Sequence, residues 1–247
     1  AGGCVGFVTD IVLSIRTITA DFSATVYCSD SDGVGGLIGA YTYNGTGGAF
    51  NSVPQINISG LTLACAGNGG KAGALFGKVR NNSESTFSIS NVTVTDVAFQ
   101  NGSAGGLIGQ YGTTGLNALN AALEISNAIV STSLGSNGRD YGGLIGVDDC
   151  GSPAYIKISG AEVTMDSIGT PGDFGGLVSR LQNNDQTKQD VGHLLNLEGT
   201  VTVHVTRNFK SSASTGGLVA YLQNGVIRIG GDVTINGTLA PEEKNRY

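Results

Sequence analysis

The chain has 247 residues, 41 of them Gly, with 4 Pro, 4 Cys, no Trp and a formal net charge of −6. Few prolines and no three-residue glycine period exclude collagen, and 40% hydrophobic against 13% charged residues excludes a disordered chain. The acidic balance argues against nucleic acid as a partner. No apolar run approaches the ~18 residues that cross a bilayer. The longest, near Cys4–Ile15, is broken by Asp10, so no membrane insertion is expected. The sequence opens at Ala1 without a basic, apolar leader, as a processed or excised protein would.

In chain order, one motif keeps returning. It reads Gly2-Gly3-Cys4-Val5-Gly6, Gly35-Gly36-Leu37-Ile38-Gly39, Gly73-Ala74-Leu75-Phe76-Gly77 and Gly105-Gly106-Leu107-Ile108-Gly109. It continues as Gly142-Gly143-Leu144-Ile145-Gly146, Gly175-Gly176-Leu177-Val178-Ser179 and Gly216-Gly217-Leu218-Val219-Ala220. Spacings of 33, 38, 32, 37, 33 and 41 residues alternate short and long, so insertions on alternate coils would build a distinct surface on one side.

A second motif travels with it: Ile58-Ser59-Gly60, Ile89-Ser90-Asn91, Ile125-Ser126-Asn127, Ile158-Ser159-Gly160, Leu197-Glu198-Gly199 and Ile229-Gly230-Gly231. Alternating β-branched residues around it, as in Val92-Thr93-Val94-Thr95, read as short strands. The Gly or Asn supplies a turn or bulge between them. Helical periodicity is confined to Leu116–Leu123. Such units cannot bury their apolar sides alone, and stacking them in register closes one core. The expected fold is all-β, a parallel β-helix or β-solenoid of about six to seven coils with Gly-rich corners. Residues 1–239 form one repeat domain and 240–247 a polar tail.

These motifs resemble the GLUG repeat family, named for its Gly-Leu-aliphatic-Gly core, over nearly the whole chain from Gly2 to Ala220. Ser179 and Ala220 depart from the closing Gly. The resemblance implies a large secreted or cell-surface protein in which the repeats act as stalks or spacers, and it brings no catalytic residues.

Cys28 lies seven residues before Gly35 and Cys65 eight before Gly73, nearly the same slot in adjacent coils, which makes them the disulfide candidate. Cys4 and Cys150 fall about four coils apart, too far for one intrachain bond, and are candidates for interchain contacts. Asn-x-Ser/Thr sequons stand at Asn44, Asn57, Asn81, Asn91, Asn101 and Asn236; Asn44, Asn81 and Asn101 fall in loop-like stretches and are the better glycosylation candidates. Disulfide, sequons and repeat type together favour an extracellular location.

Catalytic patterns are sparse. His193 and His204 have no second ligand at metal spacing, no Gly-x-Ser-x-Gly follows a strand, and no Walker or dinucleotide pattern appears. Asp148-Asp149 is the best carboxylate pair, and Ser29-Asp30-Ser31-Asp32-Gly33 matches a calcium-loop fragment without its later ligands. Thr62, Thr93, Thr164, Thr202 and Thr234, with Ile129 in the remaining copy, read as one outward column. No cofactor is expected.

The sequence begins within a repeat motif, so the first coil reads as uncapped, and a solenoid end must be covered. The leading expectation is a non-enzymatic structural subunit of an extracellular filament or appendage, self-associating by head-to-tail stacking. The alternative is an adhesin module that binds a surface glycan or protein. A carbohydrate-active enzyme ranks third.

Overall fold

The computed structural model describes residues 1–28, 33–65, 69–82, 85–114, 122–135, 138–150, 155–167, 172–183, 193–205, 209–211, 214–237 and 239–241. Strands from successive passes of the chain stack in parallel, each pass adding one strand to each of three sheets. The molecule is the expected β-solenoid. A six-stranded sheet holds the short segments that lead into each Gly corner, such as Lys71–Gly73 and Asp173–Gly175. A seven-stranded sheet holds those that leave it, from Val5–Thr9 to Val219–Gln223. The long segments, among them Ser85–Gln100, Ala122–Leu134 and Tyr155–Ser167, make the third sheet, which has ten strands. Fully buried apolar residues run from Val34 to Val205. The solenoid has about five turns, slightly fewer than the six to seven expected, with a less buried layer at either end. The strand Leu239–Pro241 pairs with Phe209–Ser211, which carries the sheet structure two residues past the expected boundary at 239. The weak helical run falls mostly on residues 115–121, outside the described residues.

The repeated motif forms the corner. Its Leu points inward, and Leu37, Leu75, Leu107, Leu144 and Leu177 are each at most 1% exposed. Close approach between turns explains the second glycine. A Cβ on Gly143 would lie 2.1 Å from the Gly176 carbonyl oxygen and 2.6 Å from Val163 Cγ1. Any side chain there would force adjacent turns apart.

The second motif bends the long strand. Asn91, Asn127, Gly160 and Gly199 all have positive φ, from 50° to 77°. That region is open to Gly and tolerated by Asn, which explains the Gly-or-Asn alternation. Asn127 Nδ2 donates to Asn91 Oδ1 at 3.2 Å, so the bend is also tied along the axis.

Two expected alignments shift. Ile89, Ile125, Ile158, Leu197 and Ile229 stack as one column, but Ile58 pairs with Val94 and Ile89 with Ser52. The bend at Gly60 therefore belongs one step further along, beside Asp96, which also has positive φ. The threonine column shortens in the same way. Thr93, Ile129, Glu162, Thr202 and Thr234 share one column, whereas Thr164 stacks between Ser131 and His204 and Thr62 pairs with Ala98. The charged Glu162 interrupts what remains of the array.

Candidate functional site: the end layers and a buried ionic column

The two outer layers differ from the interior. In the first, Val5, Phe7, Ile11, Val12 and Tyr27 are 43–67% exposed; in the last, Tyr221, Leu222, Val226, Ile229 and Ile235 are 37–57% exposed. Of these, Val5, Leu222, Ile229 and Ile235 end columns that are filled inside, whereas Phe7, Tyr221 and Val226 end outward-facing ones. Val8 heads the column Tyr41, Val79, Tyr111, Asp148, Leu181, and Leu222 ends it. Cys4 heads the corner Leu column, its amide donating to the Leu37 carbonyl at 3.1 Å, and its thiol is exposed. Each outer layer also leaves strand edges without a neighbour among the described residues. Such edges invite further strands.

The other notable group lies two residues before each Gly pair. Here Lys71, Ser103, Asp140, Asp173 and Ser214 stack along the axis. Lys71 Nζ donates to Ser103 Oγ at 3.1 Å, and Ser103 Oγ donates to Asp140 Oδ2 at 2.9 Å. Arg180, from the strand beyond the corner, bonds Asp173 Oδ2 through Nε at 2.5 Å and lies 3.9 Å from Asp140 Oδ1. The Ser214 amide donates to Asp173 Oδ1 at 3.0 Å. The two buried carboxylates thus share the Arg180 guanidinium, and Lys71 reaches Asp140 through Ser103. On the outer side, the Arg180 guanidinium sits 5.1 Å from the centre of the Tyr221 ring. Ser103 carries a Lys and an Asp as a nucleophile can, but it is fully buried and reaches no open face. Asp140 and Asp173 are likewise 4% and 2% exposed.

Sequence reasoning passed over this column because its members come from different repeats. The signal was present: the position two before the first Gly reads Gly33, Lys71, Ser103, Asp140, Asp173, Ser214.

The sequence-derived candidates fall as follows. Cys28 and Cys65 are direct register partners on Thr25–Cys28 and Thr62–Cys65, so their backbones have the spacing a bridge needs. Cys65 is buried, and the Cys28 side chain lies outside the described residues. Cys4 and Cys150 occupy strand layers four apart. The carboxylate pair does not behave as a solvated loop: Asp148 is fully buried in a core column, and the Asp149 side chain lies outside the described residues, as do those of Cys150 and His193. Asp30 and Asp32 fall within the undescribed residues 29–32. His204 is half-buried, its Nδ1 3.3 Å from Asn236 Nδ2.

Among the sequons, Asn44 and Asn236 are exposed and Asn57, Asn91 and Asn101 are half-buried. Asn81 is fully buried, its Nδ2 donating to the Ser85 carbonyl and its Oδ1 accepting from Ser85 Oγ. A glycan on that amide has no room, which corrects its ranking among the better candidates. Among the described residues, no group of three or more His, Cys, Asp or Glu side chains is arranged to hold a metal.

Two buried phenols have shifted acidity. Burial raises Tyr41 to about 12, with Tyr43 and Asp10 adding repulsion, and its hydroxyl donates to the Ile11 carbonyl at 2.8 Å. Burial also raises Tyr141, whose shift is opposed by its 2.6 Å hydrogen bond with Thr132 and reinforced by Asp166. On the exposed face, a 2.9 Å pair joins Lys157 and Glu198, which holds the ammonium above and the carboxyl below its ordinary value.

No family model, no curated protein and no solved structure matches this chain.

Proposed function

We propose that this chain is a non-enzymatic structural subunit of an extracellular filament or surface appendage, built by coaxial head-to-tail stacking of β-solenoids. The observation that supports this reading is the chemistry of the two outer layers. Among the described residues both leave strand edges unpaired and expose apolar residues, with Val5 at one end and Leu222, Ile229 and Ile235 at the other continuing core columns, so each suits another solenoid layer. Contacts of this kind are heterologous and do not close, so they propagate. The resemblance of the corners to GLUG repeats of secreted proteins, and the exposed sequons at Asn44 and Asn236, agree with an extracellular site. The burial of Asp140 and Asp173 against one shared guanidinium fits structural carboxylates rather than an acid–base pair.

Sedimentation velocity of the purified chain over a hundredfold concentration range tests the proposal. Growth of elongated species with concentration is expected; a single monomeric species throughout overturns it. One observation favours the adhesin reading instead. Where the long sheet bends, a shallow groove of about 280 Å3 is lined by Asn127, Ile129, Glu162, Thr200 and Thr202 among others, a mix of polar and apolar surface that suits a glycan. Glycan-array binding by a stable monomer would establish that alternative.

A further inference from the structure

The hydrogen bonds along the corner Leu column all run one way. The Cys4 amide donates to the Leu37 carbonyl, Leu37 to Leu75, Leu75 to Leu107, Leu107 to Leu144, Leu144 to Leu177, and Leu177 to Leu218, at 2.8–3.2 Å. Every corner therefore presents its N–H to the next layer and its carbonyl to the preceding one. Among the described residues, no backbone group accepts from the Leu218 N–H, and none donates to the Cys4 carbonyl. Among the described residues, the last layer thus holds an unanswered donor of this ladder and the first layer an unanswered acceptor.

We infer that the occupant of each end is the opposite end of a second copy of this chain, docked in the same column register that relates its own turns, with Leu218 of one copy on Cys4 of the next. This rests on the stacking proposed above and adds its polarity, its register and its contact pairs. A head-to-head pair would set Cys4 carbonyl against Cys4 carbonyl, acceptor on acceptor, whereas head-to-tail pairing completes the ladder.

The side chains agree with this register. Val5 and Val219 end one column, and Val8 and Leu222 another, with the same three-residue step between them at both ends. On the long sheet, Ile229 continues onto Ile15 and Val233 onto Ile18, all inward positions. The last layer has one more residue than the first between those columns, and the sheet already absorbs the same difference at Ser159/Ala161. Outside the core, Tyr221 continues onto Phe7, 37% and 61% exposed in the single chain. The Tyr221 ring, already packed by the Arg180 guanidinium on its inner side, would then lie between a cation and an aromatic ring, both favourable neighbours.

Register partners on adjacent parallel strands lie about 4.8 Å apart, within disulfide range. The test uses the full chain carrying Cys150→Ser and Leu218→Cys, oxidised mildly at high concentration and run on a non-reducing gel. A ladder of covalent multimers, lost when Cys4→Ser is added, is the expected result. Because Leu218 is partly in the core, the exposed pair Thr9→Cys with Gln223→Cys, which end one outward column, is run in parallel and should give the same ladder. Polymers that sediment normally but cross-link through neither pair overturn this register while leaving the filament proposal standing. Absence of polymers from the unsubstituted chain overturns both.

Discussion

Replacing Asp173 separates a structural carboxylate from a catalytic one. Asp173 is 2% exposed and satisfies both Arg180 Nε at 2.5 Å and the Ser214 amide at 3.0 Å. In Asp173→Ala both part-buried donors lose their acceptor. Breaking a buried pair costs about 3–5 kcal/mol. The Arg180 side chain is 29% exposed and recovers part of its hydration, so a loss of roughly 3 kcal/mol is expected. Arg180→Met alone should cost at least as much, because it leaves Asp173 and Asp140 facing each other without their shared cation. The double variant Asp173→Leu/Arg180→Met removes both charges, and buried pairs replaced in this way are often close to neutral. The two single losses should therefore not add, with a coupling of about 2 kcal/mol or more. Urea unfolding followed by far-UV circular dichroism measures this. A loss below about 0.5 kcal/mol for Asp173→Ala would refute the argument. A gain in stability would do more, since relief on removing a carboxylate is the mark of a functional site held under strain.

The remaining expectations follow from the same packing. Gly143→Ala places a Cβ 2.1 Å from the Gly176 carbonyl oxygen and should cost about 1–3 kcal/mol as the neighbouring turn shifts, since one corner already holds Ala74 in this slot, whereas Gly6→Ala, with nothing within 4 Å, should be neutral within about 0.5 kcal/mol; equal melting temperatures would contradict the close-approach reading. Folding keeps Tyr41 and Tyr141 neutral beyond the ordinary tyrosine value of 10. Their contribution is thus complete below about pH 10 and is lost as pH rises toward 12 and above. Absorbance at 295 nm should show late-titrating phenols whose ionisation coincides with unfolding; all 8 tyrosines ionising near pH 10 with the fold intact would refute it. Expressed through a secretory pathway that glycosylates, the folded chain should carry glycan at Asn44 or Asn236 and none at Asn81. Peptide mass spectrometry decides, and an occupied Asn81 in folded protein would mean that its burial is misjudged.

The corners were legible because their constraint is local and recurrent: a Leu that fills the core follows a small residue that admits the neighbouring turn, with Ala74 and Cys4 as the two departures. The ionic column was less legible. Arg180 joins Asp140 and Asp173 from across the corner, and the column's own members occupy one slot that varies from Lys to Ser to Asp. Ile58-Ser59-Gly60 misled because a strand bend looks alike wherever it falls. Ser85–Gln100 bends twice, at Asn91 and Asp96, pairing by the first bend with one neighbour and by the second with the other. Local chemistry identifies a bend, and only register identifies which one. The pair Asp148-Asp149 was legible as two adjacent carboxylates, but that strand alternation turns Asp148 into the core was not.

The most direct measurement is electron microscopy of the purified chain at rising concentration. Seven strand layers at about 4.8 Å each give a subunit rise of roughly 34 Å, and stacking predicts unbranched rods of constant width whose lengths are multiples of it. Uniform short particles of one subunit length at every concentration would contradict the assembly at the centre of this account.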